Sequence, residues 1–366
     1  MGGDLSRIGN RPNRDQPELS VIVPVYNSAS MLRASLEALQ NAPGPVREVI
    51  VVDDGSEDGS AAIAESVGAR VIRHASRRGG GASRNTGVHH TSAPILVFVD
   101  SDVVIDPSAL ERIASFLAAN RDYAAVFGSY DAEPAHSGLV SQYRNLLHRF
   151  IHQNGHRDAE TFWTGLGAVR RSAFQDVGGF RPNGAPLEDI WLGLDLSEAG
   201  FRIHSDPDLL GKHLKPWTLR TMVTTDVLLR AIPWTEIILA RGQFTNDLNT
   251  ARKYRIGVAS AAVAVAGVLM ALWVPYLLVI SALAFVTTLL ANAQILEQFW
   301  KERGALFLLG VVPLHIVHQI CSSIGFGIGL MRHLGKSLWK LGRRILTGEP
   351  RLWPTFSASR DPATPN

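Results

Sequence analysis

Short apolar runs rich in Val and Ile alternate with segments of helical periodicity through the first part of the chain. This alternation is typical of βαβ units, in which each helix connects two neighbouring parallel strands. The expected strands are Leu19–Val25, Glu48–Asp53, Arg70–His74, Ile95–Asp100 and Ala124–Ser129, and the expected helices are Ala29–Gln40, Ser60–Val67, Ala82–His89, Pro107–Ala119 and Leu139–Gln153. We therefore predict an α/β fold with a Rossmann-like, mostly parallel sheet that helices cover on both faces.

Polar residues follow three of these predicted strands directly. In an open parallel sheet, ligands bind beyond the carboxyl ends of the strands. The residues at these ends are Pro24, Tyr26 and Asn27 after the first strand, Asp53 and Asp54 after the second, and Asp100, Ser101 and Asp102 after the fourth. A single Asp after a strand is commonly a helix cap. Three polar strand ends at one edge of the sheet instead predict a binding site.

Asp100 and Asp102 stand two residues apart at a strand end, so both carboxylates can face one ion. Oxygen ligands suit Mg²⁺ and Mn²⁺, and such ions commonly bridge protein carboxylates and substrate phosphates. We predict one of these two ions as a cofactor that neutralises charge on a diphosphate leaving group.

Five motifs occur in order between about Leu19 and Trp217. They are Val21-Ile22-Val23-Pro24-Val25-Tyr26-Asn27, Val51-Val52-Asp53-Asp54-Gly55-Ser56, Arg84-Asn85-x-Gly87, Asp100-Ser101-Asp102 and Glu188-Asp189. As a set they resemble glycosyltransferase family 2, although each motif alone is unspecific. The resemblance implies a GT-A fold, a nucleotide-sugar donor and inversion of configuration at the transferred sugar carbon.

The same resemblance assigns roles to residues of this chain. It implies that Asp53 or Asp54 holds the base and ribose of the donor, with Arg84 and Asn85 near the nucleotide and Asp102 as the direct metal ligand beside Asp100. His213 stands where some related enzymes place a further metal or diphosphate contact. Glu188 and Asp189 are the expected catalytic acids, and Asp189 is the expected general base. The expected acceptor-binding residues are Trp163, Thr164, Gly165 and Trp217.

Asp189 lies at the start of a predicted helix that runs from Leu187 to Ala199. The helix dipole favours an ionised carboxylate there, and an inverting transferase needs a base that deprotonates an acceptor hydroxyl. An ordinary helix N-terminal acid is the alternative reading. If the acceptor is a lipid phosphate, no base is needed and Asp189 only orients the acceptor. Both kinds of acceptor remain open at this point.

Two further features bear on the active site. Gly79-Gly80-Gly81 is either a flexible loop that admits Arg84 and Asn85 to the donor or a plain surface loop. Chain-extending synthases of the family carry Gln-x-x-Arg-Trp after the Glu-Asp motif. The counterpart here, His213-Leu214-Lys215-Pro216-Trp217, keeps only the Trp. This difference favours the transfer of one sugar per visit.

Two almost uncharged apolar blocks, Ile256–Leu296 and Ala305–Met331, follow the motifs. A spanning helix needs roughly 20 apolar residues, so the first block holds two spans with a turn at Pro275, and the second holds one. The basic residues Arg252, Lys253 and Arg255 place the catalytic domain in the cytosol. The basic residues after Met331 also favour a cytosolic position for the end of the chain. Three full spans would instead place that end outside. Either the second block is broken or re-entrant near Pro313, or the charge rule fails.

These observations divide the chain into five predicted parts. They are a disordered tail (1–18), a GT-A domain (19–215), interfacial amphipathic helices (216–255), a transmembrane region of two or three helices (256–331) and a basic tail (332–366). The first part lacks the apolar core of a signal peptide. Cys321 is the single cysteine and has no disulfide partner in the chain, which favours a reducing compartment.

The net charge of +3 excludes a strongly basic nucleic-acid binder. We expect a glycosyltransferase in the inner membrane of the cell, with the catalytic domain on the cytoplasmic side. Its acceptor is expected to be a polyprenyl phosphate, a glycolipid or another lipid-linked molecule. The alternatives are a polysaccharide synthase-type transferase and a non-catalytic membrane scaffold built on a degenerate transferase domain.

Overall fold

The computed structural model describes residues 16–181, 186–242, 248 and 251–347. Most of the predicted N-terminal tail (1–18) and the end of the predicted basic tail (348–366) lie outside these residues. The segment 332–347, which was also predicted as tail, is helical.

One mixed sheet forms the centre of the N-terminal part. Within the described residues it contains nine strands. They are β1 (Leu19–Val25), β2 (Val46–Asp53), β3 (Arg70–Arg73), β4 (Ile95–Val99), β5 (Val103–Ile105), β6 (Tyr123–Tyr130), β7 (Asp158–Ala159), β8 (Leu166–Arg170) and β9 (Arg202–His213). Their order across the sheet is β3-β2-β1-β4-β8-β6-β9-β5, and β7 pairs with β9.

Helices connect these strands and then continue alone to the end of the described chain. Those of the N-terminal part are α1 (Ala29–Asn41), α2 (Ser60–Ser66), α3 (Gly80–His89), α4 (Ala109–Ala119), α5 (Leu139–Gln153), α6 (Arg171–Asp176) and α7 (Glu188–Glu198). Those that follow β9 are α8 (Leu219–Thr224), a π-helical segment (Thr225–Ala231), α9 (Ile232–Arg241), α10 (Arg252–Met270), α11 (Leu277–Ala291) and α12 (Ala293–Thr347).

The predicted α/β fold is confirmed, and the parallel pairing is concentrated in the first half of the sheet. Strands β3, β2, β1 and β4 are parallel neighbours. Strand β8 pairs antiparallel with both β4 and β6, while β9 is parallel to β6 and antiparallel to β5 and β7. The carboxyl ends of β1, β2 and β4 therefore meet at one edge, as the sequence predicts.

Alternate residues of the central strands enter two different cores, as the period of a strand requires. Val21 and Val23 pack on one face, where α1 and α4 contribute Leu36 and Ile113. Ile22 belongs to the opposite face. That face is rich in aromatic side chains, namely Phe98, Phe127, Phe162, Phe174 and Phe180. Because both faces are covered, the sheet is a rigid base for the residues at its carboxyl edge.

The C-terminal helices pack against the sheet domain at one end and expose apolar side chains elsewhere. A third core joins α5 to α8 and α12, with Tyr143, Met222 and Phe299 at its centre. Two helices, Arg252–Met270 and Ala293–Trp339, are long and apolar enough to cross a membrane, and α11 is a shorter apolar helix. Leu272 and Leu306 are 80% and 85% exposed. Exposed apolar surface of this kind marks a surface that contacts a membrane or a partner.

The second apolar block, Ala305–Met331, is helical throughout, so the alternative of a break near Pro313 is wrong. The helix continues through Pro313, and the backbone leaves the helical region at Gly304, where φ is 81°. Glycine adopts this left-handed conformation without the steric cost of a side chain. The polar residues near Pro313 do not mark a break either, because His315 hydrogen-bonds to Tyr143 and His318 to Asp226.

Candidate active site

The carboxyl ends of β1 and β2 form a turn that is held by its own side chains. Asn27, at φ 50°, accepts a hydrogen bond from the Glu57 amide through Oδ1, and its own amide donates to the hydroxyl of Ser56. Oδ1 of Asp53 accepts a hydrogen bond from the Ser56 amide, at 3.0 Å. Tyr26 is exposed, with the guanidinium of Arg77 over its ring at 4.2 Å. Pro24 lies inside β1 and pairs with Val52.

Asp54 is directed into the protein rather than towards the open edge. Its two carboxylate oxygens accept hydrogen bonds from the backbone amides of Arg78 and Gly79, at 2.9 and 2.7 Å. Nδ1 of His74 makes a further hydrogen bond to the same carboxylate, at 2.7 Å. Asp54 therefore fixes the loop before α3, and Asp53 is the less engaged of the two predicted donor-binding acids.

Asn85 and Ser101 are also occupied by the protein itself. The side-chain amide of Asn85 donates to the carbonyl of Phe180 and accepts from the Phe180 amide, at 2.7 and 3.0 Å. The hydroxyl of Ser101 donates to that of Ser28, at 2.9 Å. The sequence predicted direct donor contacts for Asn85 and Ser101. In the structure their polar side chains hydrogen-bond to neighbouring segments, and a contact with the donor stays a prediction.

Arg84 connects two motifs that are far apart in the sequence. Nη1 donates to Oε1 of Glu188 at 2.9 Å, and Nη2 donates to Oδ1 of Asp100 at 2.5 Å. The side chain of Arg84 is buried, whereas Asp100 and Glu188 are partly exposed. Burial alone lowers the pKa of Arg84, but the charges of Asp100 and Glu188 outweigh this effect and raise it. The guanidinium therefore remains a permanent charge at the site.

The three glycines before Arg84 have a steric function that the sequence did not reveal. Gly79 has φ 97° and precedes α3, and Gly80 is the first residue of the helix. A Cβ on Gly80 would lie 2.8 Å from Oε1 of Glu188 and 3.0 Å from Nη1 of Arg84. The small residue thus allows the Arg84–Glu188 ion pair to lie against the start of α3. Close approach, rather than a flexible loop, explains the glycine at this position.

Asp102 and His213 are neighbours at the junction of β5 with β9. Nε2 of His213 lies 3.4 Å from Oδ2 of Asp102, and the His213 ring stacks on Tyr130 at 4.5 Å. Burial raises the pKa of Asp102, but the hydrogen bond and charge of His213 outweigh it, so the pKa lies below its usual value. Burial raises the pKa of Asp100 despite the opposing charge of Arg84.

No group of three His, Cys, Asp or Glu residues within the described ranges is arranged to hold a metal ion. Asp100 is engaged by Arg84, so Asp102 and His213 are the two predicted ligands that lie together. Mg²⁺ is usually held by one or two protein carboxylates plus substrate phosphates. Two adjacent protein donors fit that arrangement, in which the remaining ligands come from a bound diphosphate.

Asp189 lies at the start of α7, where Leu187 precedes the helix with φ 60°. One carboxylate oxygen accepts a hydrogen bond from the amide of Ile190, at 2.8 Å. Burial, reinforced by repulsion from Glu188, raises the pKa of Asp189 to about 7. The sequence argument expected the helix dipole to keep this group ionised. Burial outweighs the dipole, and the resulting pKa is close to the optimum for a general base near neutral pH.

One cavity of about 300 Å³, which we call the catalytic cavity, collects six of the predicted site residues. These are Asp100, Asp102, Asp189, His213, Trp163 and Trp217. Thr164 is buried, and Gly165 packs against the Trp163 ring, where an added Cβ would lie 2.1 Å from a ring carbon. Neither residue lines the cavity, so Trp163 and Trp217 are the predicted acceptor residues that can contact a ligand there.

Sequence reasoning missed the part of the catalytic cavity that α5 and β6 provide. Arg144, His148 and His152 line the cavity and are spaced four residues apart on α5, so they share one helix face. Tyr130 ends β6. Its ring stacks on that of His213, with the ring centres 4.5 Å apart, and lies tilted against that of His148, at 4.3 Å. Burial lowers the pKa of His148 well below its usual value and that of His152 to about 4. Both signals, the strand end and the four-residue spacing, were present in the sequence.

The helices that follow β9 complete the catalytic cavity. Thr225, Arg230 and Trp234 contribute to its wall from the π-helical segment and α9. These residues lie between the sheet domain and the long apolar helices. The carboxylates of the sheet edge thus share one cavity with side chains of the segment that precedes the apolar blocks.

The chain is similar to several known proteins. The model of the family "Glycosyl transferase family 2" matches residues 20–178. The glycosyltransferase AglE of Haloferax volcanii is 28% identical over 212 residues, which cover 54% of this chain and 67% of AglE. The pre-mycofactocin glycosyltransferase of Mycobacterium tuberculosis is 32% identical over 225 residues, covering 56% of this chain and 45% of that protein.

A third relative is the GalNAc(5)-diNAcBac-PP-undecaprenol beta-1,3-glucosyltransferase of Campylobacter jejuni. It is 27% identical over 150 residues, which cover 39% of this chain and 45% of that protein. The chain thus spans less than half the length of two of these three relatives.

Among solved structures, the mannosyltransferase PcManGT from Pyrobaculum calidifontis, in complex with GDP-Man and Mn²⁺, has the same fold. Its TM-score is 0.51 at 19% identity, over 89% of this chain and 88% of that one. The matched family region, the ordered motifs at the sheet edge and the shared fold agree. Residues 20–178 match the model of glycosyltransferase family 2, and the N-terminal part of the chain has the GT-A fold.

Proposed function

We propose that this chain is an inverting, metal-dependent hexosyltransferase, which transfers a sugar from a nucleotide-diphosphate donor to a lipid-linked acceptor at the cytoplasmic face of the inner membrane. One observation carries the proposal. Asp102, His213 and Asp189 line the same cavity as Arg230 and Trp234, which belong to the segment before the apolar helices. A donor bound at the sheet edge would therefore meet an acceptor presented from the membrane side.

The donor is expected to lie along the carboxyl ends of β1, β2 and β4. Asp53, Tyr26 and Arg84 are proposed to hold its nucleotide part. Asp102 and His213, 3.4 Å apart, are the residues that would bind Mg²⁺ or Mn²⁺ together with the diphosphate. When bound, the ion supplies positive charge that stabilises the leaving diphosphate. The complex of PcManGT with GDP-Man and Mn²⁺ is an example of such a donor in the shared fold.

Asp189 is proposed to act as general base for an acceptor hydroxyl. The hydroxyl oxygen attacks the anomeric carbon of the donor sugar, and its proton passes to the carboxylate of Asp189. The bond between the anomeric carbon and the diphosphate oxygen breaks, and the nucleoside diphosphate leaves with the electron pair. A pKa of about 7 leaves a useful fraction of Asp189 ionised at neutral pH.

The C-terminal helices supply the reason for a lipid-linked acceptor. Their apolar side chains, such as Leu269 and Leu309, are 61% and 72% exposed. In a bilayer these side chains would lie in an apolar environment, which is more favourable than contact with water. Basic residues at the start of α10, including Arg252 and Lys253, favour the cytoplasmic side for the GT-A domain. The Campylobacter jejuni relative is named for an undecaprenol-linked acceptor.

Membranes that contain the full-length chain test this function. They are incubated with a panel of labelled nucleotide-diphosphate sugars, and the lipids are then extracted and counted. We expect label from one donor in the lipid fraction, lost on chelation and in Asp102→Asn, while the exposed control Asp176→Asn retains it. No lipid label with any donor would contradict the proposal.

A further inference from the structure

A second, larger cavity lies next to the catalytic cavity, between the sheet domain and the apolar helices. Its volume is about 750 Å³, and its wall is mainly apolar, with Leu147, Ile238, Ile256 and Phe326 from four different helices. We call it the apolar cavity. A mainly apolar cavity of this size is suited to an apolar ligand rather than to a nucleotide.

Arg230 and Trp234 line both cavities, so the two spaces adjoin at these side chains. Any molecule that occupies both of them must pass Arg230. The order from the sheet edge outward is the base Asp189, then Arg230, then the apolar wall. A ligand that fits this order carries a hydroxyl, an anionic group and an apolar chain.

Within the part of the chain that the structure describes, Arg230 has no carboxylate as an ion-pair partner. No hydrogen bond or ion pair engages its guanidinium there. The acid that would be its natural partner is Asp226, four residues earlier. Asp226 is instead paired with Nη1 of Arg144 at 2.9 Å and with Nδ1 of His318 at 2.7 Å. Burial and the nearby charge of Arg144 lower the pKa of Arg230, as expected for a poorly compensated cation.

Asp226 and Arg230 lie in the same π-helical segment but do not form an ion pair. Charges four residues apart lie on one face of an α-helix and commonly form an ion pair. Residues 225–231 form a π-helix, whose turn is wider and whose hydrogen bonds join residues five apart. Asp226 is already engaged by Arg144 and His318. Arg230 is therefore left without an ion pair within the described residues.

We propose that the acceptor is a lipid in which a phosphate or diphosphate links a saccharide to a long hydrocarbon chain, with the phosphate bound by Arg230 and the chain in the apolar cavity. This inference rests on the proposed function. It makes the phosphate an anchor rather than the nucleophile, because the hydroxyl of the saccharide reaches Asp189 in the catalytic cavity.

Binding of lipids to the full-length protein in nanodiscs, without donor, tests the phosphate contact. The probes are a polyprenyl diphosphate that carries one N-acetylglucosamine, the matching polyprenyl glycoside without phosphate, and inorganic diphosphate. A hydrogen-bonded charge pair predicts about 10–100-fold tighter binding of the phosphorylated lipid than of the neutral one. Arg230→Gln should abolish this preference, and Arg220→Gln, an exposed arginine on α8, should retain it. A preference that survives in Arg230→Gln would overturn the phosphate assignment.

A matched pair of substitutions on α10 tests the position of the chain. Ala262 lines the apolar cavity, whereas Ala266, one turn further on the same helix, does not line it. Both alanines are exposed. Ala262→Phe should weaken binding of both lipids about tenfold or more, and Ala266→Phe should leave it unchanged. If inorganic diphosphate binds as tightly as the lipid and Ala262→Phe has no effect, the lipid assignment is wrong.

Binding of the nucleotide donor, measured separately for every variant, distinguishes the possible failures. Variants that still bind the donor are folded, so an altered lipid preference then reports on the acceptor site. If the wild-type chain binds no nucleotide donor, the proposed function itself is contradicted. If it binds the donor but shows no preference for the phosphorylated lipid, only this inference is contradicted.

Discussion

Nη1 of Arg84 donates a hydrogen bond to Oε1 of Glu188 across 104 residues of sequence, at 2.9 Å. The same guanidinium holds Asp100 through Nη2. Three motifs that are separate in the sequence are therefore joined by one buried side chain. This connection sets the relative positions of the strand end that carries Asp102 and the helix that carries Asp189.

Removing this connection should lower stability. Arg84→Met leaves Asp100 and Glu188 without their cation, and breaking a buried ion pair costs about 3–5 kcal/mol. We expect the lower end of that range, because the two acids are partly exposed. The measurement is the free energy of unfolding in detergent. Arg47→Met, which breaks the exposed pair with Glu18, is the control and should cost about 0–1 kcal/mol. Equal effects of both substitutions would contradict the structural role of Arg84.

A methyl group at Gly80 should disturb the same ion pair without removing a charge. The new Cβ would lie 2.8 Å from Oε1 of Glu188, so the pair must shift. Gly80→Ala should therefore lower the transfer rate about tenfold or more, since active-site groups misplaced by about 1 Å lose rate steeply. Gly138→Ala is the control, because nothing lies within 4 Å of a Cβ there. A Gly80→Ala enzyme with unchanged kinetics would show that the pair can move freely.

The first half of the fold was predictable because its strands are short apolar runs. Strand β1 and helix α5 have the bounds that the sequence predicted, and β2, β4 and β6 differ by a few residues. The sequence did not predict β9, whose His204, Asp206 and Asp208 break the apolar pattern. Arg112 satisfies Asp206 and Asp208 from α4, a tertiary contact that no local pattern shows.

The candidate site was predictable where the chemistry follows a strand. Asp102 and Asp189 line one cavity, as the motifs indicated. Asp54 and Asn85 hydrogen-bond to backbone groups of Gly79 and Phe180. These contacts depend on the tertiary structure, so the sequence alone could not distinguish a ligand contact from an internal one. The π-helical segment likewise has no local sequence signature.

The apolar helices should hold the chain in a membrane. Full-length protein is expected to remain in the pellet after a carbonate wash, since burial of exposed side chains such as Leu272 and Trp273 favours the bilayer. Protease added from the cytoplasmic side should cleave the GT-A domain, and protease added from outside should leave it intact. Recovery of the full-length chain in the soluble fraction would refute the membrane assignment.

The pH dependence of transfer should report the ionisation of Asp189. Its raised pKa of about 7 means that the carboxylate is mostly protonated, and therefore inactive as a base, at lower pH. The ratio kcat/KM should rise about tenfold per pH unit below 7 and level off above it. In Asp189→Asn, kcat/KM should be low and should no longer rise with pH below 7. A wild-type profile that falls between about pH 6 and 7.5 would have the wrong sign for a general base.

Side-by-side measurement of transfer rate and donor affinity in Asp189→Asn tests the central claim most directly. The claim is that Asp189 serves the acceptor, while Asp53, Arg84, Asp102 and His213 serve the donor. The account predicts that transfer to lipid falls about 10²–10⁴-fold, that the Kd of the donor stays unchanged, and that Asp176→Asn behaves as wild type. Transfer at the wild-type rate, or joint loss of transfer and donor binding in Asp189→Asn, would contradict it.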